Sequence, residues 1–245
     1  MRSRMIYPAG NNAALRYASE FLEYMGAQIT QKPDDRVTHL LLPVPSFENG
    51  CIRDGWRLES ILATLPGDIT VIGGKVDHPA LEKYRRLDLL EDPFYLAENA
   101  EITAHCALKL ALSQLPVTLA GQPVLVIGWG RIGKCLARLL RTLGAQVCVQ
   151  ARKESDRAIL HALGYAPRQA LDGYRVIFNT VPAQVIPNEE YELCSGDCLK
   201  IDLASVSAMP GNDVLWARGL PGKDAPESAG LLIARTIRRL LEDGV

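Results

Sequence analysis

Short apolar runs alternate with longer stretches of helical periodicity along most of the chain. That pattern predicts an α/β protein built on parallel sheets. In the first part, strands are expected near 4–7, 27–31, 37–43 and 69–73, and helices near 11–25, 56–64 and 79–86. The stretch P-V-P-S-F-E-N-G (43–50) follows a strand end and reads as a loop, a candidate site wall. Good helix formers from about 98 to 113, stopped by Pro116, predict a helix that joins two domains. Further on, strands are expected at 123–128, 146–151, 175–181, 198–203 and 214–217, and helices at 131–143 and 153–163. A closing helix at 225–241 gathers Leu231, Leu232, Ile233, Ile237, Leu240 and Leu241 on one broad face.

The pattern repeats itself once. Residues 5–29 and 124–147 each read as strand, glycine turn, helix, then a G-A-Q turn into a second strand. Two tandem Rossmann-like domains follow from this echo, the first without the full set of glycines. Their expected bounds are 1–97 for a Rossmann/flavodoxin-like substrate-side domain and 98–224 for a nucleotide-binding Rossmann domain. The closing helix, 225–243, is expected to pack back on the first.

The second copy carries the chemistry. In V-L-V-I-G-W-G-R-I-G-K-C, Gly128, Gly130 and Gly133 form G-x-G-x-x-G, with Trp129, Arg131 and Ile132 between them. Gly128 suits the tight turn, Gly130 lets backbone approach a diphosphate, and Gly133 lets the helix lie against the strand. The helix start then offers free N–H groups and partial positive charge to an anion. In an NAD-binding unit a carboxylate usually ends the second strand and holds the ribose diol. Here that place reads Gln150, Ala151, Arg152 and Lys153. A cation there suits the 2′-phosphate of NADP, Arg152 by a two-pronged contact with Lys153 or Ser155 beside it. The plainer alternative is that both cations only solvate the next helix.

Other strand ends add candidates. In F-N-T-V-P, Asn179, Thr180, Val181 and Pro182 are placed along the cofactor path. In I-D-L-A-S, Asp202 and Ser205 are polar groups that end a buried strand, as catalytic candidates or as turn anchors. The stretch R-G-L-P-G-K-D-A-P-E-S-A-G (218–230) reads as a rigid loop, and its Lys223 is either a carboxylate-binding cation or a surface lysine. Thr103 and His105, further catalytic candidates, sit on the joining helix; His105 alone of the histidines is considered near a cleft, and a plain packed histidine is the more ordinary reading.

Composition removes other functions. Net charge is −1, with 48% apolar and 22% charged residues, so nothing points to nucleic acid or a membrane surface. The N-terminus has a basic start but no apolar run long enough for a signal peptide, so none is expected, and no apolar run approaches the ~18 residues of a membrane helix. A cytoplasmic protein is expected. Cysteines 51, 106, 135, 148, 194 and 198 then read as reduced thiols. C-S-G-D-C is a poor zinc spacing, so no metal is expected, and no Ser-His-Asp pattern is present.

From about Asn99 onward the chain resembles the A-subunit of dipicolinate synthase. The matching pieces are T-L-A-G-Q-P-V-L-V-I-G-W-G-R-I-G, L-G-A-Q-V-C-V-Q-A-R, F-N-T-V-P, I-D-L-A-S and G-L-P-G-K-D-A-P-E-S-A-G. The last is far more specific than the glycine turn, and Arg152 matches the A-R of the family. The resemblance implies NADP-dependent oxidation, during sporulation, of a dihydrodipicolinate-type precursor to pyridine-2,6-dicarboxylate. It implies loss of water where the precursor is hydroxylated, hydride transfer, and gain of aromaticity. It also implies a small dicarboxylate substrate and, as partner, a flavoprotein-like B-subunit. The chain departs from the family in its first turn, A-G-N-N-A-A-L, where a glycine-aspartate-arginine turn is usual. It departs again in E-I-T-A-H-C, where Thr103 is kept but His105 and Cys106 replace a Glu and a Gly.

Two other readings stand beside this one. A D-2-hydroxyacid dehydrogenase has a similar two-domain plan, but it needs a carboxylate-clamping arginine and a His–Glu pair. I-D-L-A-S stands where the arginine is required, and no histidine follows the last strand. The other is an NADP-binding partner subunit without turnover, because no general acid or base is evident. A homo-oligomer is expected from the apolar face of the closing helix and from the family.

Overall fold

A computed structural model of the chain describes residues 4–53 and 55–242. They fall into two compact units: the stretch up to Asn99 together with that from Pro221 onward, and Ala100–Leu220.

The first unit is built from β1 (Met5–Pro8), α1 (Ala13–Tyr24), β2 (Gln28–Ile29), β3 (His39–Leu41), β4 (Phe47–Glu48) and β5 (Cys51–Ile52). It continues with α2 (Leu58–Leu62), β6 (Thr70–Gly73), β7 (Arg85–Asp88) and the first turns of α3 (Pro93–Gln114). Its main sheet runs β2-β1-β3-β6-β7, and every pairing in it is parallel. Such a sheet needs cover on both faces, which explains the unbroken apolar runs such as H-L-L-L. Leu40, Leu42 and Val71 lie in one buried cluster with Ile52, Leu58 and Leu81.

The second unit contains β8 (Pro123–Ile127), α4 (Arg131–Thr142), β9 (Gln146–Gln150), α5 (Glu154–Ala162), β10 (Ala166–Pro167) and β11 (Val176–Asn179). After these come α6 (Asn188–Glu192), β12 (Leu199–Asp202) and β13 (Val214–Trp216). Its sheet is again parallel throughout, in the order β10-β9-β8-β11-β12-β13. The order reverses direction between β8 and β11, and the carboxyl ends on either side of such a switch point form a crevice for ligands.

Four of the expected elements differ in the structure. The stretch 43–50 is not all loop, because β4 and β5 pair as an antiparallel hairpin. Its turn is Asn49-Gly50, with φ of 51° and 77°, the positive values that a tight hairpin turn demands. The helix expected over 79–86 is a single 3₁₀ turn, Pro79–Leu81, and Arg85–Asp88 instead forms the edge strand β7. The joining helix starts earlier than expected. Asp92 Oδ1 accepts from the Tyr95 N–H at 2.7 Å and Pro93 fills the first helical position, a strong N-terminal signal. The loop read at 218–230 contains a short helix, α7 (Leu220–Asp224), which runs almost directly into α8 (Pro226–Glu242). Residue 243 of the expected closing helix lies outside the described residues.

Helix α8 packs along α1 within the first unit. A Cβ on Gly230 would sit 2.5 Å from the Tyr17 Cβ and 2.8 Å from the Ala14 oxygen and the Ala18 nitrogen. Backbone cannot yield as a flexible side chain does, so the two helices approach this closely only through glycine. Arg239 on α8 also bonds Asp92 Oδ2 at 2.7 Å, so the acid that caps α3 also holds α8. Gly230→Ala should cost about 1–3 kcal/mol by overpacking, read as a lowered urea midpoint.

Candidate functional site

The glycine turn after β8 is shaped by contacts that leave no room for side chains. Gly128 has φ +106°, and its N–H donates to the Gln150 carbonyl at 2.9 Å, which ties the turn to the end of β9. A Cβ there would come within 2.7 Å of Val181 Cγ2 and press against Thr180 Oγ1. One on Gly133 would overlap the carbonyl oxygen of Gly128, so α4 can sit on the turn only with glycine at that position. Gly130 has nothing within 4 Å of its would-be Cβ, and its role is to leave the approach open. It is also the N-cap of α4 and provides no capping side chain. In the equivalent place in the first unit, Asn12 Oδ1 accepts from Leu15 N–H at 2.9 Å and caps α1. The two copies of the motif differ where an anion would bind. One helix start is capped by its own side chain, and the other has no side-chain cap.

The end of β11 supports the turn from behind. Thr180 donates to the Ile127 carbonyl from both its N–H and its hydroxyl, at 2.9 Å each. Asn179 is buried and binds Val181 O at 2.9 Å and Asp202 Oδ1 at 2.9 Å, while its own oxygen accepts from Val181 N–H at 3.1 Å. Asp202 is fully buried and also accepts from Ala204 N–H at 3.0 Å, Ala208 N–H at 2.7 Å and Met209 N–H at 3.1 Å. Both of its oxygens are engaged in fixing the 203–209 turn, which is the work of an anchor. Ser205 is exposed on that turn.

A cavity of about 600 Å³ opens at the turn. Gly128, Trp129, Gly130, Arg152, Lys153 and Val181 line it. Gly133, Asn179 and Thr180 belong to the structure behind it. Ile132 is half-buried, and Arg131 and Pro182 are exposed; none of the three is in the lining. Gln150, Ala151, Ala183, Val185 and Asp156 also line the cavity, although no motif marks them as doing so. Asp156 falls there because the first turn of α5 directs it back toward the strand end, a placement that strand-end counting misses. Trp129 packs edge-on against Tyr165 with ring centroids 5.5 Å apart, and this contact holds the residue between the two glycines.

Thr103 and His105 lie elsewhere in this unit. Thr103 is buried on α3. His105 is largely exposed, and its Nε2 lies 3.5 Å from Glu101 Oε1. Glu101 also pairs with Arg138 of α4. Burial pushes the Glu101 carboxyl up, but hydrogen bonds from Cys135 and Arg138 outweigh this and hold it below the usual range. Burial, then the bond to Glu101, pushes the Cys135 thiol up to about 11, so it is not a reactive thiolate. This cluster staples α3 to α4. Neither Thr103 nor His105 is in the lining of the cavity at the glycine turn, nor is Asp202 or Ser205. Among the described residues no group of histidine, cysteine and carboxylate side chains is placed to hold a metal. No helix among them is long and apolar enough to cross a membrane.

Two parallel α/β units and a glycine turn at the sheet's switch point define a protein of Rossmann-like fold. In sequence, the chain is 28% identical over 178 residues to the A-subunit of dipicolinate synthase from Bacillus subtilis (strain 168). That match takes in 67% of this chain and spans 60% of the relative's length. A crystal structure of the A-subunit of dipicolinate synthase from Bacillus halodurans superposes with a TM-score of 0.83 at 22% identity, covering 98% of each chain. A D-lactate dehydrogenase from Escherichia coli superposes with a TM-score of 0.60 at 14% identity, over 98% of this chain and 97% of that one. No family model matches the chain. The resemblance read from its motifs is thus present in sequence and in fold, and so is the tandem Rossmann-like, D-2-hydroxyacid-dehydrogenase-like plan.

The bonding of Asp202 generates a test. Asp202→Ala strands four donors around a buried site and should destabilise the protein by about 2–4 kcal/mol in urea unfolding. A loss under 1 kcal/mol would show that these bonds do not hold the turn.

Proposed function

We propose that this chain is the NADP-binding subunit of an oxidoreductase that forms pyridine-2,6-dicarboxylate from a dihydrodipicolinate-type precursor in sporulation. The observation that carries the reading is one cavity in which the glycine turn meets Arg152 and Lys153 at the end of β9. The residues suit the dinucleotide. The uncapped start of α4 and the open face of Gly130 accept a diphosphate, and Val181, Ala183 and Val185 offer apolar lining for an adenine. Arg152 and Lys153 replace the usual strand-end acid, which would repel a 2′-phosphate. When bound there, NADP⁺ would supply a hydride acceptor, so that a dihydropyridine ring losing a hydride and one proton would become aromatic. The network of Asn179, Thr180 and Asp202 keeps the turn and the ends of β11 and β12 in a fixed relation while ligands exchange.

Likeness to the dipicolinate synthase chain of Bacillus subtilis supports the substrate class, and its name as one subunit supports a second chain as partner, which we take to be flavoprotein-like. We place the protein in the cytoplasm, with the substrate-side role assigned to the first unit. The full engagement of Asp202 favours one competing reading, a subunit that binds NADP without turnover.

An ultraviolet assay separates these. The product of the dihydrodipicolinate synthase reaction and NADP⁺ are incubated with this chain, with and without a candidate second subunit. Aromatic dicarboxylate absorbance that depends on this chain supports the enzyme. NADP⁺ binding without product under either condition supports the non-catalytic reading. For the cofactor, Arg152→Ala should weaken NADP⁺ about tenfold to a hundredfold by calorimetry and leave NAD⁺ nearly unchanged. Equal losses for both would remove Arg152 from contact with the 2′-phosphate.

A further inference from the structure

The carboxylate missing from the end of β9 reappears one element later. Asp156, in the first turn of α5, lines the same cavity as Gly128, Gly130, Arg152 and Lys153. It is half-buried, and among the described residues no hydrogen bond or ion pair engages its side chain, although two cations share the cavity wall. The start of a helix favours a negative charge, and Asp156 stands in the first turn of α5.

A second acceptor stands beside it. Gln150, the last residue of β9, lines the cavity too, and its Oε1 is buried with no hydrogen-bond partner. A buried polar atom without a partner is uncommon and calls for one. Two acceptors, neither with a donor of its own, suit a ligand that brings donors. In an adenine dinucleotide those are the hydroxyls of the adenosine ribose.

We propose that Asp156 accepts hydrogen bonds from the adenosine ribose and thereby makes NAD⁺ a ligand of this site alongside NADP⁺. This rests on the dinucleotide reading given above. NAD⁺ presents a vicinal diol, two donors that a carboxylate takes together. NADP⁺ presents one hydroxyl and a 2′-phosphate, which Asp156 repels while Arg152 and Lys153 attract it. The end of β9 thus carries opposed charges whose balance sets a weak preference for NADP⁺. Asp156 is a specificity-determining residue, displaced by one helical turn from the position where the acid is usually sought.

Calorimetric titration of the full chain with NAD⁺ and with NADP⁺ tests this, using wild type, Asp156→Asn and Glu154→Gln. Glu154 is an exposed acid in the same helical turn that does not line the cavity, and it controls for a general change in helix-end charge. Asp156→Asn should bind NAD⁺ about tenfold more weakly and NADP⁺ a few-fold more tightly. Glu154→Gln should stay within about twofold of wild type for both. An unchanged NAD⁺ affinity in Asp156→Asn overturns the proposal, as does an equal shift in Glu154→Gln. If wild type binds neither dinucleotide, the dinucleotide reading itself fails and this proposal falls with it. Wild type that binds NADP⁺ but not NAD⁺ leaves the dinucleotide reading intact and sinks this one alone.

Discussion

The second unit depends on one close approach, that of Gly133 on α4 to the carbonyl of Gly128 on the turn before it. No side chain fits between them. Because the helix lies this near the strand end, its first N–H groups point into the space above the sheet's switch point. The same contact forces Gly128 to φ +106°, where any other residue is strained, and directs its N–H to the Gln150 carbonyl. The ends of β8 and β9 are thereby locked together. The uncapped helix start and the cations that follow β9 consequently share one cavity. A nucleotide reading of this protein follows from that geometry more than from the three glycines as letters.

A second layer of bonds holds that geometry. Thr180 clamps Ile127, Asn179 links Val181 to Asp202, and Asp202 gathers the 203–209 turn. The ends of β8, β11 and β12 are thus joined by side chains as well as by the sheet. A buried network with every member satisfied rigidifies what it joins. It also shows how a motif can be conspicuous without being reactive. Asp202 stands where ligands collect, but four donors occupy its two oxygens.

Much of this is legible in the sequence. The parallel α/β plan, the tandem units and the glycine turn come from periods of two and 3.6 and from the echo between 5–29 and 124–147. The first unit is harder to read. Its edge strand β7 opens with two exposed arginines, R-R-L-D, which look like a helix surface until β6 is there to pair with. E-N-G is a hairpin signal that the prolines on its N-terminal side mask, because they suggest loop. In the site, residues next in sequence to the motif are legible, and those brought in by a helix, such as Asp156, are not. His105 attracts attention by its chemistry, but in the fold it serves Glu101 at the contact between α3 and α4. Sequence spacing places a residue on an element, and packing alone decides which way it faces.

A crystal structure of the chain with NADP⁺ tests the central claim most directly. The expected result is the diphosphate at the first turn of α4 above Gly130, with the 2′-phosphate against Arg152. A nucleotide bound elsewhere, or a 2′-phosphate turned away from Arg152 and Lys153 into solvent, would contradict it.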